Sequence, residues 1–372
     1  MIHKTEVGKR ISNLREKLGC TQADFAEKLD VSTQAVSKWE TGLCLPSIEL
    51  LLRIAWMGNV SIEYILDGTR SYISEIPGVE RALWNAEQFL ICPICKMPLK
   101  LDSTKGGEHL SFQCGHSHKY PIVDGVVYFH TREIPGEQWS LSYLNYEDYQ
   151  KAHSAPKNLN FARGINFNDI MWEEIKKQKP SVLIDLACGM GTGTASFVEK
   201  INWPITIFMT DLSHRILKWN KTYFSAKKSN PYVDLVYFAC DCAKLPMRSN
   251  FADIVFSCGG IESMQEKWKL GLREAHRVLK PNGSLIDTAN HIESHSSANS
   301  KKWAELFTPL APYCESLLLD AREKTDQMKS AGFSNVQLIP VYPELPAPAG
   351  DQFPFKNEIS QWMALSIAVS TK

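Results

Sequence analysis

The chain has no apolar run long enough to cross a bilayer, no net charge, and no internal repeat or low-complexity tract. The first lack excludes a helical membrane span. The start, Met1-Ile2-His3-Lys4, runs into polar helix-forming sequence rather than the apolar core of a secretory signal, so a cytoplasmic protein is expected. With 41 basic residues against 41 acidic ones, a nucleic-acid partner has to be held by a local patch and not by global attraction. Without an export signal, ten cysteines do not read as a disulfide framework, which leaves metal ligation and burial. What remains is a globular chain of 372 residues, 44% hydrophobic with mean hydropathy −0.22, long enough for two or three domains.

The most informative stretch is Val182 to Thr194, VLIDLACGMGTGT: an apolar strand ending in Asp185, then a loop with glycines at 189, 191 and 193. Such a turn, running into a helix, lets backbone amides approach a charged ligand at the helix N-terminus. A second apolar run, Ile205 to Thr210, ends in Asp211, where a carboxylate can take both hydroxyls of a ribose. A third, Val233 to Cys240, ends in Asp241 and is followed by Leu245-Pro246, and a fourth, Ala252 to Cys258, opens after Phe251. The third glycine comes one residue too early for a dinucleotide fingerprint, which also has no place for Asp241.

This order of acidic strand ends resembles the class I S-adenosylmethionine-dependent methyltransferases, through Asp185, Gly189, Gly191, Asp211, Asp241, Leu245, Pro246, Phe251 and Asp253. The resemblance runs on through Arg277 to Gly283 and Ala331-Gly332-Phe333, covering roughly residues 155 to 372. It implies an α/β Rossmann-like domain over 181–372. Asp185, Gly189 and Gly191 would hold the methionine end of S-adenosylmethionine, Asp211 the ribose, and Asp241 with the Cys242 backbone the adenine edge; Leu212 and Ser257 complete the expected cofactor set. One position departs, since Ala187 stands where the family has its first glycine, which argues for a modified pocket. On the acceptor side, Glu262 and His291 are the candidates for taking a proton. An Asn-Pro-Pro-Tyr acceptor motif is absent, and Cys258 lacks the preceding proline of a covalent cytosine mechanism.

Residues 1–70 read as five short helices. Ile11, Leu14 and Leu18 form an apolar stripe stopped by Gly19; Thr21, Ser32, Ser47 and Ser61 stand at cap positions. Thr21 to Leu29 followed by Val31 to Glu40 resembles the Cro/CI (XRE-type) helix-turn-helix family. That implies Ala26 at the helix crossing, Val36 and Trp39 packed inward, Gln22 on a phosphate, and Thr33, Gln34, Ser37 and Lys38 facing the DNA major groove. The segment holds nine Lys/Arg and nine Asp/Glu, so a homodimer on a two-fold operator is expected to supply the missing affinity.

Between the two lies a cysteine-bearing segment, residues 89–130. Cys92-Pro-Ile-Cys95 is a knuckle able to set two thiolates on one ion, Cys114 follows with 18 residues between, and His116 or His118 completes the set. The segment resembles the zinc ribbon that precedes the catalytic domain in bacterial 23S rRNA guanine methyltransferases, and the small zinc-ribbon activators of tRNA and protein methyltransferases, ending in the same aromatic-Pro-x-x-Asp-Gly turn, Tyr120 to Gly125. The resemblance selects His118 and implies structural zinc; Lys96, Lys100, Lys105 and Lys119 then read either as a basic edge for RNA or as the solvated surface of a linker domain.

The expected organisation is therefore multidomain: an all-α helix-turn-helix bundle (1–70), a connector (71–88), a small zinc ribbon (89–130), a connecting segment and candidate lid rich in aromatics (131–180), and the methyltransferase domain (181–372). Two functions fit: a DNA-binding methyltransferase acting on RNA or a small metabolite, or a transcription regulator whose methyltransferase-like domain senses S-adenosylmethionine or another ligand without catalysis.

Overall fold

The computed structural model describes residues 3–58, 60, 62–67, 87–103, 110–130, 145–154, 167–227, 230–292, 294–296, 315–342 and 363–372. It divides into two compact units, Met1–Trp84 and Asn85–Lys372.

The first unit is helical: α1 (Lys4–Lys17), α2 (Gln22–Leu29), α3 (Thr33–Glu40), α4 (Ile48–Met57) and α5 (Ile62–Asp67). The caps are where the sequence puts them. Thr21 and Asp24 form a reciprocal capping box, and the Ser32 and Ser47 hydroxyls accept from the amides of Ala35 and Leu50. Ser61 lies outside the described residues. The core joins Val7, Ile11, Leu14, Phe25, Ala26, Leu29, Val36, Trp39 and Ile54, whereas Leu18 is exposed because the helix has already ended in the left-handed Gly19. A crossing missed in the sequence is Gly8, where any Cβ would overlap the carbonyl oxygens of Trp39 and Glu40. Gly8→Ala is therefore expected to destabilise this unit by about 1–3 kcal/mol, seen as lost hydrogen-exchange protection in α1 and α3; unchanged protection would refute the close contact.

The second unit is built on one sheet of eleven strands: β1 (Leu99–Ser103), β2 (Leu110–Cys114), β3 (Lys119–Val123), β4 (Val126–Tyr128), β5 (Val182–Leu186), β6 (Ile205–Asp211), β7 (Val233–Ala239), β8 (Ala252–Ser257), β9 (Leu279–Ile292), β10 (Ser334–Tyr342) and β11 (Met363–Thr371). Their order is β1-β2-β3-β4-β7-β6-β5-β8-β9-β11-β10. Strands β7, β6, β5, β8 and β9 are parallel, and β5, β6 and β8 are mostly apolar runs, as strands buried on both faces of such a sheet are. The order reverses between β5 and its neighbours, which is where a doubly wound sheet opens a crevice at its carboxyl edge. Asp253 ties the opposite edge, accepting from the Ser181 amide and hydroxyl, the Val182 amide and Lys280.

The cysteine-bearing strands β1 to β4 continue this same sheet. Strand β4 lies parallel against β7, with Val127 opposite Phe238. Flanking helices are α6 (Tyr146–Ser154), α7 (Phe167–Gln178), α8 (Thr192–Ala195), α9 (His214–Ala226), α10 (Gly260–Ser263), α11 (Trp268–Val278) and α12 (Ala321–Ser330). No helix of the described residues is long and apolar enough to cross a membrane.

Candidate functional site

The β5 strand delivers Asp185 to the carboxyl edge, where it is 1% exposed and accepts a 2.6 Å bond from the Thr194 hydroxyl of α8. Burial, against the help of Thr194 and with Asp211 near, pushes its carboxyl up to about 7. The chain then turns through three left-handed residues, Ala187 (φ 51°), Gly189 (51°) and Gly191 (68°). Ala187 thus takes the left-handed conformation that glycine adopts freely, at a cost of about 1–2 kcal/mol. A Cβ at Gly189 or at the left-handed Gly259, which follows β8, would meet nothing within 4 Å, so backbone at both places borders open space. Gly260, by contrast, is pressed on the Leu186 and Ala187 carbonyls and braces the loop from β8.

Asp211, at the end of β6, organises the facing loop: its two oxygens accept 2.8 Å bonds from the Gly189 and Ser213 amides. Leu212 follows, its carbonyl taking a 2.9 Å bond from His130 Nε2. Asp241 caps a short turn through the Ala243 amide and pairs with Lys267 at 2.9 Å. Cys242 is buried on Thr210, and Ser257 is buried and accepts from the Ile261 amide. The sequence-predicted cofactor residues thus gather along one sheet edge.

The aromatic connecting segment divides by role. On α6, the Tyr149 hydroxyl donates to Asn220 Oδ1 and lies 3.2 Å from the Met190 carbonyl oxygen, His153 Nε2 lies 2.7 Å from the same carbonyl, and Asn220 donates its amide to the Gly189 carbonyl. Tyr146, Trp219 and Tyr223 pack around them. Trp172 is core, stacked on Phe197 and Trp203. Trp139, Tyr143 and Phe161 lie outside the described residues, as do Lys105 and most of the 71–88 connector.

Neither proton-taking candidate is idle. Glu262 is buried with both oxygens engaged, by Asn290 and by Lys324 Nζ at 2.6 Å. His291 is wedged between the Ile292 carbonyl and the Ser366 hydroxyl, and burial holds its imidazole below the usual range. Both are thus held by neighbouring groups of the second unit. Beside them is a residue that reading missed: burial and the neighbouring Glu262 push the carboxyl of Asp287 well above the usual carboxylate range. Its Oδ1 has no hydrogen-bond partner among the described residues.

In the cysteine segment, ligand atoms of Cys92, Cys95, Cys114 and His118 lie within 4.8 Å of one another; His116 is exposed and outside the group. His118 Nδ1 is 3.4 Å from Cys92 Sγ and 3.3 Å from Cys114 Sγ, and Cys95 and Cys114 are 3.6 Å apart. Tetrahedral ligation of zinc by thiolate and imidazole calls for separations of roughly 3.5–3.8 Å, so the donor set fits such an ion. The Tyr120 hydroxyl, 3.0 Å from Cys92 Sγ, supports it.

On the helical unit, Thr33, Gln34 and Lys38 are exposed on α3 and Ser37 is half-buried. Gln22, expected on a phosphate, spends its side-chain amide on Glu40 at 2.7 Å, joining an ion pair in which Arg15 holds both Glu40 oxygens.

Two matches define the class. Residues 184–287 match the family described as methyltransferase domain, and residues 11–65 the family described as helix-turn-helix. The chain carries an S-adenosylmethionine-dependent methyltransferase domain behind an N-terminal helix-turn-helix domain, whose kind suggests DNA binding. Among known proteins it is similar to the ubiquinone/menaquinone biosynthesis C-methyltransferase UbiE of Shewanella sp. (strain W3-18-1), 27% identical over 180 residues, 44% of this chain and 70% of that one. It is also similar to the demethylmenaquinone methyltransferase of Protochlamydia amoebophila, 25% identical over 128 residues, 34% and 52% of the two chains. Among solved structures, phosphoethanolamine N-methyltransferase 2 of Haemonchus contortus with S-adenosyl-L-methionine aligns at TM-score 0.45 and 15% identity, covering 64% of this chain and 60% of that one.

Proposed function

We propose that this chain is an active S-adenosylmethionine-dependent methyltransferase whose acceptor is a small molecule, with a helix-turn-helix that reads DNA as a homodimer in the cytoplasm and a structural zinc in the Cys92, Cys95, Cys114 and His118 site. The observation that carries the enzyme reading is the edge formed by Asp185, the Gly189 turn and Asp211, with open space over Gly189 and Gly259. Bound there, the cofactor would supply an electrophilic methyl group on a sulfonium, open to in-line attack by an acceptor nucleophile with the sulfur as leaving group.

The chain's own part is alignment and exclusion of water. The turn amides would hold the methionine end beside Asp185, and Asp211 the ribose. Asp241 and the Cys242 backbone would face the adenine, so Lys267 has to share Asp241 with it. A small-molecule acceptor is favoured by the names of the relatives, a ubiquinone/menaquinone biosynthesis C-methyltransferase and a demethylmenaquinone methyltransferase. RNA remains the reading that the zinc-ribbon resemblance implies, but of its basic edge Lys119 already pairs with Asp102.

Calorimetric titration with S-adenosylmethionine tests the site. Micromolar binding is expected in the wild type, and Asp211→Ala should weaken it about 100-fold, the value of two charge-assisted hydrogen bonds. No binding by the wild type would sink the enzyme. The second reading, a regulator that senses the cofactor without turnover, is favoured by the engagement of Glu262 and His291; cofactor binding with no conversion of S-adenosylmethionine to S-adenosylhomocysteine in the presence of any quinol, phenol or RNA pool would support it.

A further inference from the structure

A chain of packed groups links the cysteine site to the loops that would hold the adenosine half of the cofactor. Tyr120, 3% exposed, sets its hydroxyl on Cys92 Sγ and its ring 5.1 Å from that of Phe129. Phe129 packs edge-on against Phe238 at 5.3 Å and donates its amide to the Ala239 carbonyl, two residues before Asp241. The next residue, His130, bonds the Leu212 carbonyl, directly after Asp211. The knuckle grips the far end of the Asp241 loop: the Ile91 amide donates to the Pro246 carbonyl, Leu90 bridges Met247, and the Arg248 amide donates to the Phe89 carbonyl. Lys218 of α9 meets Asp124 of the β3-β4 turn at 2.6 Å.

We infer that the metal site governs cofactor affinity, because ion binding by Cys92, Cys95, Cys114 and His118 keeps β4, His130 and the knuckle locked on the loops of Leu212 and Asp241. The inference rests on the proposed cofactor and zinc readings. Strands of three to five residues with so small a core hold their shape poorly without a cross-link, and a structural ion supplies that folding energy. The ribbon is then a clamp on the catalytic sheet, and its loss loosens both adenosine-side loops while leaving β5 and β6 in the core.

The test uses the full-length chain, with zinc content measured and S-adenosylhomocysteine as the calorimetric probe. Chelation is expected to weaken binding about tenfold or more, ~1.4 kcal/mol, with recovery on adding zinc and increased hydrogen exchange at residues 211–214 and 239–247 but not in β5. In zinc-loaded protein, His130→Ala should weaken binding about 3- to 10-fold, the range of one hydrogen bond, without loss of zinc. Unchanged affinity after chelation with β5 still protected, or in His130→Ala, overturns the inference while the methyltransferase reading stands. A wild type that takes up no zinc also overturns it, and one that binds zinc but not the probe overturns the cofactor reading and the clamp together.

Discussion

Lys324→Met is expected to cost the second unit about 3–5 kcal/mol at neutral pH, the largest stability loss of any single substitution considered for this chain. Lys324 is 6% exposed and its ammonium lies 2.6 Å from Glu262, itself 9% exposed. Removing the cation leaves a buried carboxylate with only the Asn290 amides to balance it, beside Asp287, whose carboxyl is already pushed far up by burial and by Glu262. The double variant Lys324→Met with Glu262→Met should recover most of the loss, since two apolar groups replace two charges that no longer need each other. Chemical denaturation of the four proteins of this cycle measures the coupling. A single-variant loss below 1 kcal/mol would show that water reaches the pair. Because Glu262 adjoins the Gly259 turn, the cycle also tells whether this network supports the carboxyl edge: cofactor affinity is expected to fall in Lys324→Met and return in the double variant.

The second large effect is pH dependence of cofactor binding, set by Asp185. Its folded value of about 7 stands above the ordinary carboxylate range, with burial as the main cause. Stability from this group is therefore fully present below about pH 4, where the unfolded carboxyl is also protonated, and is lost as pH rises through 7. A shift of about three units corresponds to ~4 kcal/mol. Asp185→Asn should consequently stabilise the cofactor-free protein at pH 8. A cationic ligand reverses the preference, because it stabilises the ionised carboxylate that burial penalises. Affinity for S-adenosylmethionine is expected to rise about tenfold between pH 6 and 8, the limit being tenfold per unit below the folded value. Protons should be released on binding, read from calorimetry in buffers of different ionisation enthalpy. A flat profile, or the same profile in Asp185→Asn, would remove Asp185 from the cofactor site.

Ala187 and the two proton-taking candidates show how far residue identity carries. Alanine in place of the first glycine reads as a modified or weakened pocket; in the fold the residue adopts φ 51°, with the Cys188 amide on Thr210 and the Gly189 amide on Asp211 holding the turn after it. Glu262 lies on α10 just after β8 and His291 near the end of β9, where an acceptor-side group belongs, and their chemistry suits a base. What occupies them comes from elsewhere in the chain, Lys324 for the one and Ser366 for the other.

The features legible in the residues alone are those with a local cause. Caps at Thr21, Ser32 and Ser47 arise from a hydroxyl meeting an amide three residues on, the carboxyl ends of β5 and β6 near Asp185 and Asp211 from apolar runs meeting turn residues, and the metal-type site from two cysteines with two residues between them in a knuckle. Contacts between distant segments left no such mark. Strand β4 pairing with β7, Gly8 against α3, His130 on Leu212, Tyr149 on Met190 and Lys324 beneath Glu262 join residues separated by up to 111 positions, as from Val126 to Tyr237. Short-range hydrogen bonds and periodic burial are written in neighbouring residues, whereas the partner of a buried charge or a sheet edge is chosen by which surfaces remain to be covered once the whole chain has packed.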